Sequence, residues 1–332
     1  MKKNTLLYFV IFILIAGFAV YLLITRSNST VKGVYKDFAV KDTGAITKIF
    51  LADRNNNTLL LERKSPGYWM ANNKYKADMV RVRQLLECIR NVEMRSPVTV
   101  GMRDNVIKSM AAINTKTEIY EGDKLVKTYY VGDNTQDELG TYMLLENSTE
   151  PFAMWLPYFH GYLNIRYVPQ LVDWRDKGIF SIPATEMASV VEVYPALPDS
   201  SFALNVKDNT FTVTSPTQQS KTTFQVEASR AKSFLLSFKD DYFEQALKFT
   251  PHAVDSISRT RTYADLIITS YSGKKEELRL VYKKADQGTK LETPDLVDEE
   301  KFFGFLNGDN KSVVMIQKDA IKNCLGTFDD FK

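Results

Sequence analysis

The chain has 332 residues, of which 44% are hydrophobic and 12% aromatic, a composition typical of folded rather than intrinsically disordered protein. The formal net charge is +3, and outside Lys2 and Lys3 the basic and acidic residues nearly cancel. This balance argues against a nucleic-acid-binding protein, which carries a basic excess or stripe. Two cysteines, Cys88 and Cys324, are too few for a disulfide framework; we predict two buried thiols, with a single disulfide as the alternative.

The first predicted element is a membrane-spanning helix at residues 5–24, preceded by a short tail of residues 1–4. The stretch TLLYFVIFILIAGFAVYLLI contains no charge and no proline. A helix of that length covers roughly 30 Å, the thickness of the hydrocarbon core of a bilayer. The residues assigned to the anchor are Leu6, Phe9, Phe12, Leu14, Gly17, Val20 and Leu23.

A cleavable signal peptide is the alternative interpretation of this stretch. Such a peptide has an apolar run of about 7–15 residues before a small-residue cleavage site, and residues 16–19, AGFA, resemble such a site. The apolar run continues beyond them, which favours an uncleaved signal anchor. The charges on the two sides do not decide the orientation, but the very short basic tail resembles that of a signal anchor, which places the large C-terminal part outside the cytoplasm.

Residues 25–41 are predicted to form a polar stalk, and residues 42–156 a first α+β repeat. Alternating hydrophobicity predicts three strands followed by four more strands. Between the two groups, Asp78 precedes apolar residues at spacings of three and four, which predicts an amphipathic helix of about fourteen residues that packs on a sheet. The stretch 101–114 is ambiguous and is compatible with a short helix.

Residues 157–182 are predicted to connect this repeat to a second one at residues 183–332. The connector is aromatic rather than rich in Gly and Ser, so we expect it to pack against the domains. Three strands, a helix from about Glu227 and four strands then recur with a period of about 140 residues, which indicates an internal duplication into two domains. The predicted fold class is α+β: a transmembrane helix, then a duplicated ectodomain of antiparallel meander sheets, each packed with an amphipathic helix.

Several short motifs resemble those of a known family. They are the strand-turn-strand of residues 46–63, Gly67-Tyr68-Trp69, Ala77-Asp78 at the start of the helix, Gly140-Thr141-Tyr142 and Asp173-Trp174-Arg175-Asp176-Lys177. Together they resemble the domain-of-unknown-function (DUF) family 4340 over most of residues 40–330. The resemblance implies a membrane-anchored bacterial envelope protein that accompanies a gliding-type ABC transporter. It implies no catalytic residue.

The sequence lacks the common catalytic motifs. It contains no GxSxG, GxxxxGK[ST], GxGxxG or HExxH motif, and only two histidines, His160 and His252, which we predict to lie in loops. Acidic clusters at 240–241, 295–300 and 329–330 could supply paired catalytic carboxylates or a calcium site, but solvated loop charge is the simpler interpretation. We therefore predict a non-enzymatic protein without a metal or cofactor.

Three tryptophans, Trp69, Trp155 and Trp174, are candidates either for stacking on a carbohydrate or for packing in the core. The main functional prediction is a single-pass protein of the bacterial inner membrane, whose extracytoplasmic domains act as an accessory or scaffold subunit of an ABC-type transporter complex. Its predicted partners are the lipid bilayer and transporter subunits, and no small-molecule ligand is assigned. The alternatives are an envelope carbohydrate- or polymer-binding module and, third, a hydrolase that uses the acidic loops.

Overall fold

The computed structural model of the protein describes residues 37–215, 222–285 and 297–332. The tail, the predicted transmembrane helix at residues 5–24 and most of the predicted stalk lie outside these ranges. Within the ranges, no helix is both long enough and apolar enough to cross a membrane. The chain divides into two compact units between Trp174 and Arg175, a boundary inside the predicted connector.

The first unit is built on one antiparallel sheet of nine strands. In chain order these are β1 (Lys48–Asp53), β2 (Thr58–Ser65), β3 (Tyr68–Ala71), β4 (Tyr75–Lys76), β5 (Glu93–Pro97), β6 (Thr115–Glu121), β7 (Lys124–Asn134), β8 (Thr141–Leu145) and β9 (Phe152–Trp155). Their order across the sheet is β4-β3-β2-β1-β6-β7-β8-β9-β5. Helix α1 (Met79–Asn91) connects β4 to β5, the two edges of the sheet, and α2 (Val100–Ala112) follows β5.

Helix α1 confirms the amphipathic helix predicted after Asp78. The Asp78 carboxylate accepts hydrogen bonds from the backbone N–H groups of Val80, at 2.8 Å, and Arg81, at 3.4 Å, and so caps the N-terminus. The helix ends where Val92 adopts an extended backbone. Its buried face, the part that packs on the sheet, consists of Val82, Leu85, Cys88 and Ile89.

The first sheet has an apolar cluster on each face because successive strand residues point to opposite sides. Tyr129 and Val131 belong to the larger core together with α1, whereas Tyr130 packs against the smaller cluster that includes residues of α2. Phe38 also lies in the larger core, its ring centroid 6.0 Å from that of Tyr129, and Val40 is buried beside it. The folded part of the first unit therefore begins inside the segment predicted as stalk.

The second unit is built on a second antiparallel sheet of nine strands. These are β10 (Met187–Val193), β11 (Phe202–Lys207), β12 (Thr210–Thr214), β13 (Thr223–Gln225), β14 (Gln245–Ala246), β15 (Thr262–Ser270), β16 (Lys275–Lys284), β17 (Val297–Leu306) and β18 (Val314–Gln317). Their order, β13-β12-β11-β10-β15-β16-β17-β18-β14, repeats that of the first sheet strand for strand. Helices α3 (Ala228–Leu236) and α4 (Pro251–Ser258) occupy the places of α1 and α2 in the chain, and a short α5 (Lys318–Ile321) follows the last strand.

The cores of the second unit follow the same plan. The larger core includes residues of α3, and a smaller cluster joins Val254 of α4 to Val281 and Phe305 of the sheet. Each unit thus has four strands, a helix, a strand, a second helix and four strands, so the predicted pattern of three strands, one helix and four strands was incomplete. The missing strands, β4, β5, β13 and β14, have two to five residues and are too short for hydrophobic alternation to show.

Candidate functional site

The three tryptophans do not form a common face. Trp69 on β3 and Trp174 are buried in the larger core of the first unit; the Trp69 ring lies 4.9 Å from the Arg63 guanidinium. Trp174 donates its indole N–H to the carbonyl oxygen of Val168 at 2.7 Å. Trp155, half-buried, lies on β9 near the opposite edge of the sheet from Trp69. The rings of Trp69 and Trp174 are thus used in packing.

Acidic residues from different predicted clusters pair with different neighbours. Asp298 forms an ion pair with Lys283 at 2.9 Å, and Asp330 accepts hydrogen bonds from the backbone and hydroxyl of Thr327. Residues 295–296 lie outside the described ranges. Among the described residues, no group of three or more His, Cys, Asp or Glu side chains could hold a metal ion.

The two histidines belong to different units. His160 is exposed in the loop after β9. His252 lies in the first turn of α4, so its predicted loop position was wrong; Pro251 begins the helix there, and Thr250 caps it through a hydrogen bond from Ala253.

Both cysteines are buried free thiols, as predicted, and they belong to different units. Burial raises the pKa of Cys88 to about 11, and it raises the pKa of Cys324 further. A nucleophilic cysteine needs the thiolate and therefore a lowered pKa. Neither thiol has the electrostatics of a reactive cysteine.

The most unusual polar group of the second unit is Glu192 on β10, which is completely buried. One carboxyl oxygen, Oε2, accepts hydrogen bonds from the Tyr194 hydroxyl at 2.7 Å and from the Gly326 N–H at 3.1 Å. The other, Oε1, has no hydrogen-bond partner. Burial raises the pKa of Glu192 to about 8, so the carboxyl is mostly protonated at neutral pH.

Asp241 and Cys324 extend this buried acidic cluster. Burial raises the pKa of Asp241 to about 6. The Cys324 thiol donates its one hydrogen to the carbonyl oxygen of Ile321 at 3.1 Å. Because Cys324 and Gly326 follow β18, these contacts tie the C-terminal segment to the core. Sequence reasoning missed Glu192, although its position two residues after Val190 on a predicted strand placed it on the inward face.

A largely apolar groove of the second unit lies beside α3, with a volume of about 410 Å3. Phe211 and Leu235 are buried at its base, whereas Leu236 and Tyr271 are each 59% exposed. Of the described residues that line it, Lys232 alone is charged, and its Nζ lies 5.9 Å from the centre of the Phe211 ring. The groove can accept apolar side chains of a partner.

The first unit has a larger and more polar cleft of about 440 Å3, where β1, β6 and β7 meet residues 164–170. Asn114 and Asn164 line it, together with Asp53. The Asp53 carboxylate already accepts hydrogen bonds from the backbone of Asn55 and Asn57. Arg54 also lines the cleft, and the Oδ1 atom of Asn164 is buried without a hydrogen-bond partner. The lining therefore combines charged and neutral polar groups.

The sheet edges are poor sites for adding a partner strand. Strands β4 and β5 are the edges of the first sheet, and β13 and β14 those of the second. Three of them have only two or three residues, and β5 carries Glu93, Arg95 and a terminal Pro97. Short, charged and proline-containing edges oppose strand pairing. The apolar groove is therefore the better candidate surface.

Comparisons of the chain with protein-family models, with curated proteins and with solved structures found no match. The groove and the buried acidic cluster are therefore interpreted from their own geometry.

Proposed function

We propose that this protein is a non-enzymatic, membrane-anchored accessory or scaffold subunit of an ABC-type transporter complex in the bacterial inner membrane. Residues 5–24 form the single membrane-spanning helix in this proposal, and both sheet units lie outside the cytoplasm. The motifs that resemble DUF family 4340 support the association with a transporter. The identical strand order of the two sheets supports an internal duplication.

The apolar groove beside α3 is the observation that favours a binding role. Exposed apolar patches rimmed by polar residues mark protein interaction sites, and binding energy concentrates in aromatic and apolar anchors that fill pockets. Leu236 and Tyr271 supply exposed apolar walls above a buried base. The occupant we propose is an apolar segment of a transporter subunit, with a carboxylate or carbonyl oxygen that meets Lys232.

Site-specific photocrosslinking in intact membranes tests this proposal. A benzophenone amino acid replaces Leu236 in the tagged full-length protein, and a matched control carries it at Leu197, which is 63% exposed in the same unit and does not line the groove. We expect mass spectrometry to identify transporter subunits linked at position 236 and not at 197. Recovery of the same proteins from both positions, or of no transporter subunit from 236, contradicts the proposal.

A charge placed in the groove provides a second readout. Leu236→Asp should reduce recovery of the partner about tenfold, because truncating or charging an apolar anchor costs on the order of 1.4 kcal/mol or more in binding. Leu197→Asp should leave recovery unchanged. If both variants retain the partner equally well, the groove is not the docking surface.

The carbohydrate-binding alternative has less support. Trp69 and Trp174 are buried, so only Trp155 is partly accessible for stacking on a sugar ring. The hydrolase alternative needs two carboxylates on either side of a substrate at roughly 5–10 Å. Asp298 is instead paired with Lys283, and Asp330 caps the last turn.

A further inference from the structure

The loop that follows β9, residues Leu156–Leu163, has an exposed aromatic tip; we call it the aromatic loop. Tyr158 at this tip is completely exposed and adopts φ 65°. The left-handed region is unfavourable for a bulky side chain, and such residues concentrate at binding sites and ligand clamps. A large aromatic side chain that is fully exposed in that conformation contributes nothing to core packing, which indicates a role in contacting another molecule.

The aromatic loop is fastened at both ends. Leu156 and Leu163 are buried; the Phe159 N–H donates to the carbonyl oxygen of Leu156 at 3.1 Å, and the Leu163 N–H donates to the Thr141 hydroxyl at 2.8 Å. The Arg166 guanidinium lies 4.6 Å from the centre of the Phe159 ring. These contacts order the base of the loop, so Tyr158 is presented from a defined position at low entropic cost.

The aromatic loop itself carries no acidic residue, and the exposed Glu93 of β5 pairs with Trp155, the residue directly before the loop. Residues 151–172 contain no Asp or Glu, while they include Arg166 and a run of aromatic side chains. Beside the loop, Ile165 is 53% exposed. Tyrosine is enriched where an apolar medium meets water, because its ring is apolar and its hydroxyl polar. Cationic residues are attracted to anionic lipid headgroups, which repel carboxylates.

We propose that the aromatic loop contacts the lipid bilayer, with the Tyr158 ring at the level of the headgroups. The inference rests on one part of the proposed function, the anchoring of the chain by residues 5–24. Twelve residues, 25–36, separate that stretch from Asp37, and a chain of this length spans at most about 40 Å. The first unit can therefore reach the membrane surface while it remains attached to the anchor.

Fluorescence quenching in reconstituted vesicles tests the contact. Full-length Tyr158→Trp is placed in vesicles of phosphatidylcholine and phosphatidylglycerol, with or without brominated acyl chains, and is compared with Val100→Trp. Val100 is 80% exposed in the same unit and follows β5. Pro97 at the end of β5 pairs with Phe152, the first residue of β9, whereas the aromatic loop follows the last residue of β9. Both variants retain the three natural tryptophans, so the difference between them reports the new residue.

We expect brominated lipid to quench the added emission of Tyr158→Trp at least twofold more than that of Val100→Trp, and aqueous iodide to quench it less. Equal quenching of the two variants by lipid overturns the inference. Protection of Trp at 158 from iodide in native membranes but not in pure lipid vesicles also overturns the inference. That result would show that another membrane protein, and not lipid, covers residue 158.

Flotation of the same vesicles separates this inference from the proposed function. Protein that floats with the vesicles but shows no lipid quenching at position 158 refutes the loop contact alone. Protein that does not float refutes the anchor and the loop contact together. Loss of the transporter crosslink at Leu236 with normal quenching at 158 refutes only the transporter association.

Discussion

The two sheets share one topology but fill a matching core position with opposite chemistry. Leu51 on β1 follows Ile49 by two residues, and Glu192 on β10 follows Val190 by two; all four side chains face the larger core of their unit. Leu51 lies on β1, which pairs with β2 and β6. Glu192 lies on β10, which pairs with the corresponding strands β11 and β15. The comparison shows that alternation of inward and outward residues specifies the sheet. It also shows that one inward position can hold a carboxylic acid where hydrogen-bond donors approach that acid.

The partners explain the difference. In the second unit, the Tyr194 hydroxyl and the Gly326 N–H approach the Glu192 carboxyl. The first unit buries a different polar chain, in which the Tyr129 and Tyr167 hydroxyl oxygens lie 3.1 Å apart and Tyr167 donates to the sulfur of Cys88 at 3.4 Å. That chain contains no carboxyl group. The core of the second unit should therefore respond to pH more strongly than that of the first.

Transferring the acid to the first sheet should have the largest effect. Leu51→Glu removes a buried aliphatic side chain and buries a carboxyl without the partners of Glu192, so we expect a loss of more than about 5 kcal/mol at pH 7. Urea unfolding followed by circular dichroism measures the loss, and hydrogen exchange locates it in the first unit. The volume-conserving control Leu51→Met should cost less than about 1.5 kcal/mol; equal stability of the two variants contradicts the comparison.

The pH dependence of the second unit should be the next largest effect. The pKa of Glu192 rises from an ordinary value of 4.5 to about 8 in the folded state, so the folded state holds the proton more tightly than the unfolded state. The contribution of Glu192 to the free energy of unfolding is therefore complete below pH 4.5. It falls as the pH rises, by up to about 1.4 kcal/mol per pH unit, and the total loss levels off near pH 8 at about 5 kcal/mol.

Glu192→Gln provides the matched control for the pH profile. The amide keeps an oxygen that can accept from Tyr194 and Gly326 but does not ionise. Because Asp241 titrates in both proteins, the difference between the two urea-unfolding profiles isolates Glu192. Profiles that remain parallel from pH 5 to pH 9 show that Glu192 does not carry a raised pKa.

A second matched position differs in size and should have a smaller effect. Met143 on β8 and Gly304 on β17 occupy corresponding places, and a Cβ atom on Gly304 would lie 2.5 Å from Ile316 Cδ1 and 3.1 Å from Val314 Cγ2. Gly304→Ala should therefore cost about 1–3 kcal/mol by overpacking, measured as a lower urea midpoint. Gly101→Ala, where a Cβ meets open space, should not destabilise; an equal loss at both sites indicates a backbone effect instead.

The smallest expected difference concerns the two matching helices. Asp78 caps α1 through its side chain, whereas Glu227 at the start of α3 makes no capping hydrogen bond. Asp78→Ala should cost about 1 kcal/mol of unfolding free energy and Glu227→Ala close to zero. Differential scanning calorimetry compares the two variants, and a larger loss from Glu227→Ala would reverse the assignment.

Local patterns predicted the parts of the fold that local energetics controls. Helix α1 was predictable because a capping aspartate precedes apolar residues at helical spacing, and the long strands were predictable from alternation. Strands β5 and β14 were not, because each forms only by pairing with a strand far along the chain. The α4 helix was missed because its eight residues include a single buried side chain, Val254, too few for a visible stripe.

By itself, the sequence determined a chain with one long apolar stretch, two α+β repeats of the same element order and no recognisable catalytic motif. The tertiary structure decided which polar and apolar residues come together. Glu192 acquires its raised pKa only because Tyr194, Gly326 and the surrounding core exclude water from it. The apolar groove likewise joins Phe211, Leu236 and Tyr271 from separate elements. Burial and long-range contact depend on the whole packed unit, so no local pattern contains them.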